Sequence, residues 1–274
     1  ISTEDRASLQ KLRENKIATA IATGRSLYSF NKLLSSDTFS GGNQFPEVDY
    51  LIFSTGAGIL ELPTGKILQT YSLQTSDVMD IANYLEHIGV DYMVHAPIPN
   101  TNHFLFRKLN RYNSDFASRI SMYAQYGMPI TTFSLKELSR FEGATEVLCI
   151  VNGQDGHRIA SQIGRHLKHY SVIKATSPLD GKSIWVEIFA AGVSKSRSAL
   201  LLAKSLDIDF GKICAVGNDY NDEDLLCWAG ASYVVDNAPV SMKSRFTTVP
   251  SNNNDGVTGA IDDWLGKDMK ISLT

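Results

Sequence analysis

The stretch VGNDYNDEDLL at residues 216–226 joins a short apolar strand, Ile213 to Val216, to the acidic start of a helix. Acidic residues are favoured in the first turn of a helix, so capping alone could account for Asp222, Glu223 and Asp224. Capping does not account for Asn218 and Asp219, which come directly at the end of the strand. Oxygen ligands without His or Cys suit a hard cation, so the stretch predicts a site for Mg²⁺ rather than zinc.

Two other apolar stretches end in a similar way. Ile17 to Ala22 precedes Thr23-Gly24-Arg25, and Tyr50 to Phe53 precedes Ser54-Thr55-Gly56-Ala57. Short apolar runs bounded by such turns are typical of buried parallel strands. Ligands bind beyond the carboxyl ends of parallel strands, so Thr23, Thr55 and Asn218 are expected at one edge of a sheet.

The tripeptide Thr23-Gly24-Arg25 has the chemistry of a phosphate site. A hydroxyl at a strand end, followed by Gly and the start of a helix, can offer side-chain and backbone donors to a phosphate oxygen. A Thr-Gly turn after a strand is also a common structural connection, so the tripeptide alone does not decide between the two.

Lys195 lies in the first turn of a second predicted helix, Ser194 to Ser205. A cation at a helix N-terminus opposes the helix dipole. Although most lysines are solvated surface charges, a lysine in this position is better explained if it reaches an anion, either a phosphate or a cluster of carboxylates.

The chain alternates between two patterns, which predict a core domain interrupted by an insert. Residues 1–61 and 186–274 have the short apolar strands and helices of an α/β, doubly wound parallel (Rossmann-like) core. Residues 62–185 mix strands, such as Tyr92 to His95 and Ile184 to Phe189, with amphipathic helices, such as Ser76 to His87. This mixture predicts an inserted α+β domain. In the insert, His95 either faces a substrate or is an ordinary surface or core histidine, the second being the simpler interpretation.

Composition excludes several classes of protein. The 274 residues are 43% hydrophobic and 20% charged with a net charge of −3, so there is no basic surface for nucleic acid. No apolar run approaches the length of a membrane span. Three widely spaced cysteines without a CxxC pair indicate free thiols in a reducing compartment. We expect a cytoplasmic monomer or homodimer that acts on a small molecule, without nucleic-acid or membrane partners.

The four polar segments also resemble the motifs of a known family. Thr23-Gly24-Arg25, Ser54-Thr55-Gly56-Ala57, Gly192-Val193-Ser194-Lys195 and Gly217-Asn218-Asp219-Tyr220-Asn221-Asp222 follow the order seen in Cof-type (IIB) phosphatases of the haloacid dehalogenase (HAD) superfamily. The resemblance covers essentially the whole chain. It implies a HAD core domain, with the insert in the place of the family's α/β cap domain.

The resemblance implies a role for each matching position. Thr23 would hydrogen-bond the transferring phosphoryl group, and Lys195 would neutralise both that group and a nucleophilic carboxylate. The loop would provide the Mg²⁺ ligands Asn218, Asp219 and Asp222. The remaining positions expected to contact or support the phosphate are Gly24, Arg25 and Asn221.

The chain departs from the family pattern at three places. Asn218 stands where the family usually has Asp, which removes one negative charge that Asp219 could replace, and Thr55 stands where Asn is more usual. The family's Asp-x-Asp-Gly-Thr motif, which carries the aspartyl nucleophile on the central strand, is not in the printed sequence. Asp207-Ile208-Asp209 imitates it but links a helix to a strand, so we interpret it as a polar turn. We expect the motif upstream of residue 1.

The resulting hypothesis is a Mg²⁺-dependent phosphomonoester hydrolase that forms an aspartyl-phosphate intermediate. Its substrate would be a sugar phosphate or a similar small phosphorylated metabolite. Two alternatives stay open at this point. One is a catalytically inactive protein that binds a phosphorylated ligand or has a regulatory role. The other is a phosphotransferase similar to the phosphosugar mutases.

Overall fold

The computed structural model describes residues 1–35, 48–109, 112–131 and 134–271. The chain forms two compact units. The first consists of Ile1–Thr23, Leu34–Leu68 and Ser194–Thr274, and the second consists of Gly24–Leu33 and Gln69–Val193. None of the helices in the described ranges combines the length and the hydrophobicity needed to cross a lipid bilayer.

The secondary structure alternates between strands and helices along the chain. The strands are β1 (Ala20–Ala22), β2 (Tyr50–Phe53), β3 (Gly58–Glu61), β4 (Lys66–Thr70), β5 (Tyr92–His95), β6 (Phe104–Arg107), β7 (Gly127–Pro129), β8 (Glu146–Val151), β9 (Ser171–Thr176), β10 (Ile184–Phe189), β11 (Cys214–Gly217), β12 (Ala231–Val235) and β13 (Thr247–Val249). The helices are α1 (Thr3–Glu14), α2 (Leu27–Leu34), α3 (Thr75–Ile88), α4 (Ser114–Met122), α5 (Leu135–Leu138), α6 (Gly153–His166), α7 (Lys195–Ser205), α8 (Glu223–Trp228), α9 (Val240–Lys243) and α10 (Gly256–Ile271).

The first unit contains two β-sheets in its described part. In one sheet β1 and β2 are parallel, β3 is antiparallel to β2, and β4 follows β3. In the other sheet β11, β12 and β13 are all parallel. Helix α7 connects the two sheets, since it contacts β2 on one side and α8 on the other, and α8 packs on β11 and β12. The polar ends of β1, β2 and β11 therefore belong to one packed unit.

The first strand is shorter and more exposed than the sequence predicted. We expected a buried strand from Ile17 to Ala22, but only Ala20–Ala22 is extended, and Ala18 and Ala20 are exposed. Within the described residues β1 pairs only with β2, and β11 likewise pairs only with β12. In the described part of the chain both strands are therefore sheet edges, each with one side of its backbone not paired to another strand.

The second unit is an α+β domain built on one sheet, with the strand order β7-β6-β5-β8-β10-β9. All neighbours are antiparallel except β6 and β7. One face of the sheet packs against α3 and α6, and the opposite face packs against Phe116 of α4. Helix α3 faces the sheet because Val78, Ile81, Ala82 and Leu85 recur at helical spacing, and it ends at Gly89, whose φ is 68°.

The boundaries of the units differ from the predicted 1–61, 62–185 and 186–274. Strand β10 pairs along its length with β8 and β9, so residues 186–193 belong to the second unit rather than to the core segment. Residues 24–33 also belong to the second unit. The sequence around residue 24 shows no change of composition that would indicate that the chain passes from the first unit to the second there.

Ionisable side chains cross one face of the second unit's sheet. Alternation along β8 places Val147 and Cys149 towards α3 and α6, and Glu146 towards the opposite face. His95 on β5 lies directly opposite Glu146, and Glu187 on β10 lies opposite Leu148. We call His95, Glu146 and Glu187 the sheet row.

Burial controls the protonation of two members of the sheet row. Burial and the nearby Glu187 raise the pKa of Glu146 to about 8, although Arg119 acts in the opposite direction. Burial and the charge of Arg119 lower the pKa of His95 to about 3. Around neutral pH the row therefore holds a protonated Glu146 and a neutral His95.

This protonation predicts how stability depends on pH. Because the folded pKa of Glu146 is raised, its contribution to stability is present at low pH and is lost as pH rises towards about 8. The lowered pKa of His95 has the opposite effect, but only below its ordinary value of 6.5. Between about pH 6.5 and 8, the free energy of unfolding should fall by on the order of 1 kcal/mol.

Glu146→Gln should remove this fall, because glutamine cannot ionise. The measurement is the thermal midpoint across the same pH range, with Asp155→Asn, an exposed carboxylate on α6, as the control. The prediction is contradicted if the Glu146→Gln variant loses as much stability with rising pH as the control does.

Candidate functional site

Thr23 lies where two parallel strands end side by side. Its amide donates to the carbonyl of Ile52 at 2.8 Å, and its carbonyl accepts from the amide of Thr55 at 3.0 Å. These bonds continue the β1–β2 ladder beyond both strands. The predicted neighbourhood of Thr23 and Thr55 at the carboxyl ends is therefore present in the structure.

The turn after β2 has an unusual backbone. Ser54, Thr55 and Gly56 all have positive φ, at 46°, 55° and 105°. Such a conformation is strained for Thr55, which is β-branched and fully buried, and costs on the order of 1 kcal/mol or more. Asn adopts positive φ angles more easily than Thr, which is a physical reason for the Asn that the family usually has at this position.

Gly56 brings the turn against the start of α7. Its carbonyl accepts from Ser198 Oγ at 2.7 Å. A Cβ on Gly56 would lie 2.3 Å from the carbonyl oxygen of Ser194, closer than any side chain can approach. Only glycine therefore allows the ends of β1 and β2 to contact the first turn of α7.

Lys195 is buried at that first turn and reaches a carboxylate. Its side chain is 3% exposed, and Nζ donates to Asp222 Oδ1 at 2.5 Å. Ser194 caps the helix by accepting from the Arg197 amide at 3.2 Å, and the Ser196 amide donates to Asp224 Oδ2 at 3.0 Å. The expected anion beside Lys195 is thus a carboxylate of the acidic loop.

Asp222 also orders the loop that follows β11. Its Oδ2 accepts from the amides of Asn218 at 2.8 Å and Asp219 at 3.3 Å. Asp219 Oδ1 accepts from the Tyr220 amide at 2.8 Å. The side chains of Asp219 and Asp222 also each accept from the other residue's amide, which forms a capping box around the short turn at residues 220–222. Both oxygens of Asp222 therefore face proton donors.

These contacts connect most of the predicted site residues. A continuous series of hydrogen bonds and packing contacts runs from Thr23 through the Ser54–Gly56 turn and Lys195 to Asp222 and the end of β11. Asn221 is half-buried in the adjacent turn. Gly24 and Arg25 belong to the second unit, where Arg25 Nη1 donates to Ser29 Oγ at 3.2 Å.

The donor set at the end of β11 is consistent with part of a Mg²⁺ site. Asn218 is exposed and Asp219 is half-buried, and both carry side-chain oxygens. Mg²⁺ commonly takes one or two carboxylates and completes its shell with phosphate oxygens and water. In the described residues no group of three His, Cys, Asp or Glu side chains is arranged to hold a metal. Asp222 fits a metal less well, since the Lys195 ammonium lies against it.

Two contacts of the site were not predicted. The bonds Ser198–Gly56 and Ser196–Asp224 join residues far apart in the sequence. A serine in a helix carries no local signal for a distant partner. The only sequence signal was the concentration of acids at residues 219–224, which exceeds what one helix start needs.

Comparisons with known proteins identify the family of the chain. Residues 1–261 match the family of haloacid dehalogenase-like hydrolases. The chain is 24% identical over 274 residues to 5-amino-6-(5-phospho-D-ribitylamino)uracil phosphatase YwtE of Bacillus subtilis, covering 97% of this chain and 92% of that protein.

Solved structures have the same fold. A phosphatase of the haloalkanoate (HAD) superfamily from Bacteroides thetaiotaomicron has a TM-score of 0.72 at 16% identity, over 96% of this chain and 88% of that one. A haloacid dehalogenase-like hydrolase from B. subtilis has a TM-score of 0.72 at 19% identity, over 96% and 93%.

The chain belongs to the haloacid dehalogenase-like hydrolase family, since the family match extends over residues 1–261 of 274. The predicted family, the α/β fold class with an inserted α+β domain, and an enzyme of this hydrolase type are confirmed. The individual roles of Thr23, Lys195 and the loop residues stay predictions.

The close approach at Gly56 can be tested by mutation. Gly56→Ala should lower the free energy of unfolding by about 2–4 kcal/mol, because it adds a backbone clash to an unfavourable positive φ. Gly65→Ala is the matched control, since Gly65 also has a positive φ but nothing within 4 Å, and should cost about 1 kcal/mol. Urea unfolding measures both changes in the free energy of unfolding. Equal losses in the two variants would show that the close approach of Gly56 to Ser194 adds no cost.

Proposed function

We propose that the chain is a Mg²⁺-dependent phosphomonoester hydrolase that acts on a small phosphorylated metabolite through an aspartyl-phosphate intermediate. The observation that carries the proposal is the buried Lys195–Asp222 pair, held where β1, β2 and β11 end. A buried ammonium beside polar strand ends provides a fixed positive charge for an anionic ester.

Each residue of the site has a proposed task. The Thr23 hydroxyl donates to a phosphate oxygen. The Lys195 ammonium has three N–H bonds, of which Asp222 accepts one, so the others remain for the phosphate and for the nucleophilic carboxylate. Asp222 positions Lys195 and the loop rather than binding metal. Gly24, Arg25 and Asn221 stay proposed phosphate contacts or supports.

Asn218 and Asp219 are the residues that would hold Mg²⁺. The bound ion would supply positive charge to the phosphate oxygens and fix their orientation. With Asn at position 218, Asp219 is the carboxylate of this pair, so further negative ligands must come from the substrate and from the nucleophile segment.

The nucleophile is proposed to lie on a strand upstream of residue 1. Two features of the first unit support this proposal: in its described part β1 and β11 are both parallel edge strands, and apolar Ala20 on β1 and Ala18 just before it are exposed. A strand that pairs with both edges would satisfy their backbone groups and bring its own carboxyl end beside Thr23 and Asn218.

The test is phosphate release by the native protein, including any upstream segment, with and without Mg²⁺. The substrates are sugar phosphates, nucleotides and the phosphorylated ribityl compound for which the relative YwtE is named. We expect Mg²⁺-dependent release from at least one ester. If no ester is hydrolysed but one binds, the inactive-binder alternative is correct, whereas transfer to a second sugar would favour the mutase-like alternative.

Charge removal at the site gives a sharper prediction. The double substitution Lys195→Met with Asp222→Asn leaves no unpaired buried charge, so the protein should remain folded. Its rate of phosphate release should fall by about 10²-fold or more, because a preorganised charge is lost. Lys204→Met, an exposed position at the end of α7, is the control and should retain full activity. Equal rates in all three proteins would exclude a catalytic role for Lys195.

A further inference from the structure

A groove on the helical side of the second unit contains polar side chains that the proposed phosphate site does not use. It has a volume of about 450 Å³ and lies between α3 and the segment that joins α6 to β9. Helices α3 and α6 cover the face of the sheet opposite to the sheet row. The groove and the sheet row therefore lie on different sides of the second unit's sheet.

One stripe of α3 forms the first wall of the groove. Asp80, Tyr84 and His87 recur at positions i, i+4 and i+7, and Asn83 lies beside them. Residues at this spacing share one side of a helix. The buried stripe of α3 that packs on the sheet consists of other residues, so the polar side chains of the first stripe are left at the surface.

The second wall of the groove comes from the end of α6 and the residues after it, which are His166, His169 and Tyr170. Two contacts join this wall to α3. The rings of Tyr84 and His166 stack with their centres 3.7 Å apart and an angle of 8° between their planes. The Tyr170 hydroxyl donates to Asp77 Oδ1 at 3.3 Å. Side-chain contacts therefore fix the spacing of the two walls.

The polar side chains of the groove are open to solvent. Those that are exposed are Asp80, Asn83, His87, His166 and His169. A dissolved molecule can therefore reach their polar atoms without any opening of the fold.

Negative charge dominates the groove. None of the described residues that line it is a lysine or an arginine, whereas Asp80 lines it and Asp77 lies beside it. Burial and the charges of Asp77 and Asp80 raise the pKa of Tyr170 to about 12, so both carboxylates act on the second wall. His87 and His166 lie in the last turns of α3 and α6, where a helix carries partial negative charge. This electrostatic field favours a cation.

We propose that the groove binds a small organic cation of the alkylammonium class. An ammonium group has only hydrogen-bond donors. The carboxylate of Asp80 and the acceptor nitrogens of three neutral imidazoles supply the matching acceptors. The aromatic side chain of Tyr170 adds a surface to which a cation is attracted.

Two other classes of ligand fit the groove less well. An anion offers only acceptors and would lie beside the carboxylates of Asp77 and Asp80. A metal ion needs converging ligands, and within the described ranges no three His, Cys, Asp or Glu side chains are arranged to hold one. The imidazoles of the groove are therefore assigned to hydrogen bonding rather than to coordination.

The groove is independent of the phosphate chemistry proposed for the first unit. Its residues all lie within residues 69–193, and binding there requires neither a nucleophile nor a metal. Failure of phosphate release would therefore leave this proposal intact, and the reverse also holds.

The experiment is an NMR titration of the whole protein with butane-1,4-diamine, followed through the imidazole ring signals. The conditions are about pH 7.5 and about 0.15 M salt, where imidazoles are ordinarily neutral and distant charges are screened. The signals of His87, His166 and His169 should shift to saturation, with a dissociation constant of about 1 mM or lower. The signal of His157, which is exposed on α6 outside the groove, should not shift.

Two compounds with the same four-carbon chain test the role of charge. Butane-1,4-diol is uncharged and succinate is an anion at both ends, so each should bind at least about tenfold more weakly than the diamine. The proposal is overturned by the absence of a saturating shift with the diamine, by an equal shift at His157, or by equal binding of the diol or of succinate.

A matched pair of substitutions tests the position of the site. Asp80→Asn removes one charge from the groove at nearly constant size and should weaken binding of the diamine at least about threefold. Its thermal midpoint should match that of the native protein, because Asp80 is exposed. Asp155→Asn makes the same change at an exposed position of α6 outside the groove and should leave the affinity unchanged. Equal effects of the two substitutions would mean that the diamine responds only to net charge, which would refute the assignment.

Discussion

The ion pair between Lys195 and Asp222 is the interaction on which the site of the first unit depends. Both side chains are almost fully buried, at 3% and 7% exposure. Removing two charges from water is unfavourable unless each is well satisfied, and deleting one partner of such a pair typically costs about 3–5 kcal/mol. Here the second oxygen of Asp222 accepts from two backbone amides, so the pair also fixes the loop after β11. The start of α7 and the end of β11 cannot move independently.

The same region contains the only run of three consecutive positive φ angles in the described residues, at Ser54–Gly56. Strain of this kind persists where surrounding contacts determine the backbone. The contacts are present: the Thr55 amide bonds to Thr23, and the Gly56 carbonyl accepts from Ser198. The turn thus fixes the end of β1 relative to α7. Lys195 extends this connection to Asp222. A fixed arrangement of donors suits electrostatic stabilisation, which requires groups that do not reorganise during a reaction.

Sequence patterns predicted the elements better than the pairings between them. Tyr92 to His95 and Ile184 to Phe189 were predicted with the observed bounds of β5 and β10, since apolar runs and turns are local signals. The strand ends at Thr23 and Asn218 were found for the same reason. The partner of Lys195 was predicted only as an anion, because Asp222 is 27 positions away and nothing in the sequence encodes that distance. The predicted strand Ile17 to Ala22 was wrong in extent and burial, because burial depends on neighbours that apolar composition alone does not specify.

The two units satisfy their buried charges in opposite ways. In the first, Lys195 and Asp222 have opposite charges, so neutrality requires no proton. In the second, burial and the nearby carboxylate of Glu187 raise the pKa of Glu146, so that a proton on Glu146 takes the place of a counter-ion. A proton on a carboxyl group makes it a donor as well as an acceptor, which a salt-bridged carboxylate cannot be. The first arrangement therefore keeps both buried groups charged, whereas in the second the protonated Glu146 can donate as well as accept a hydrogen bond.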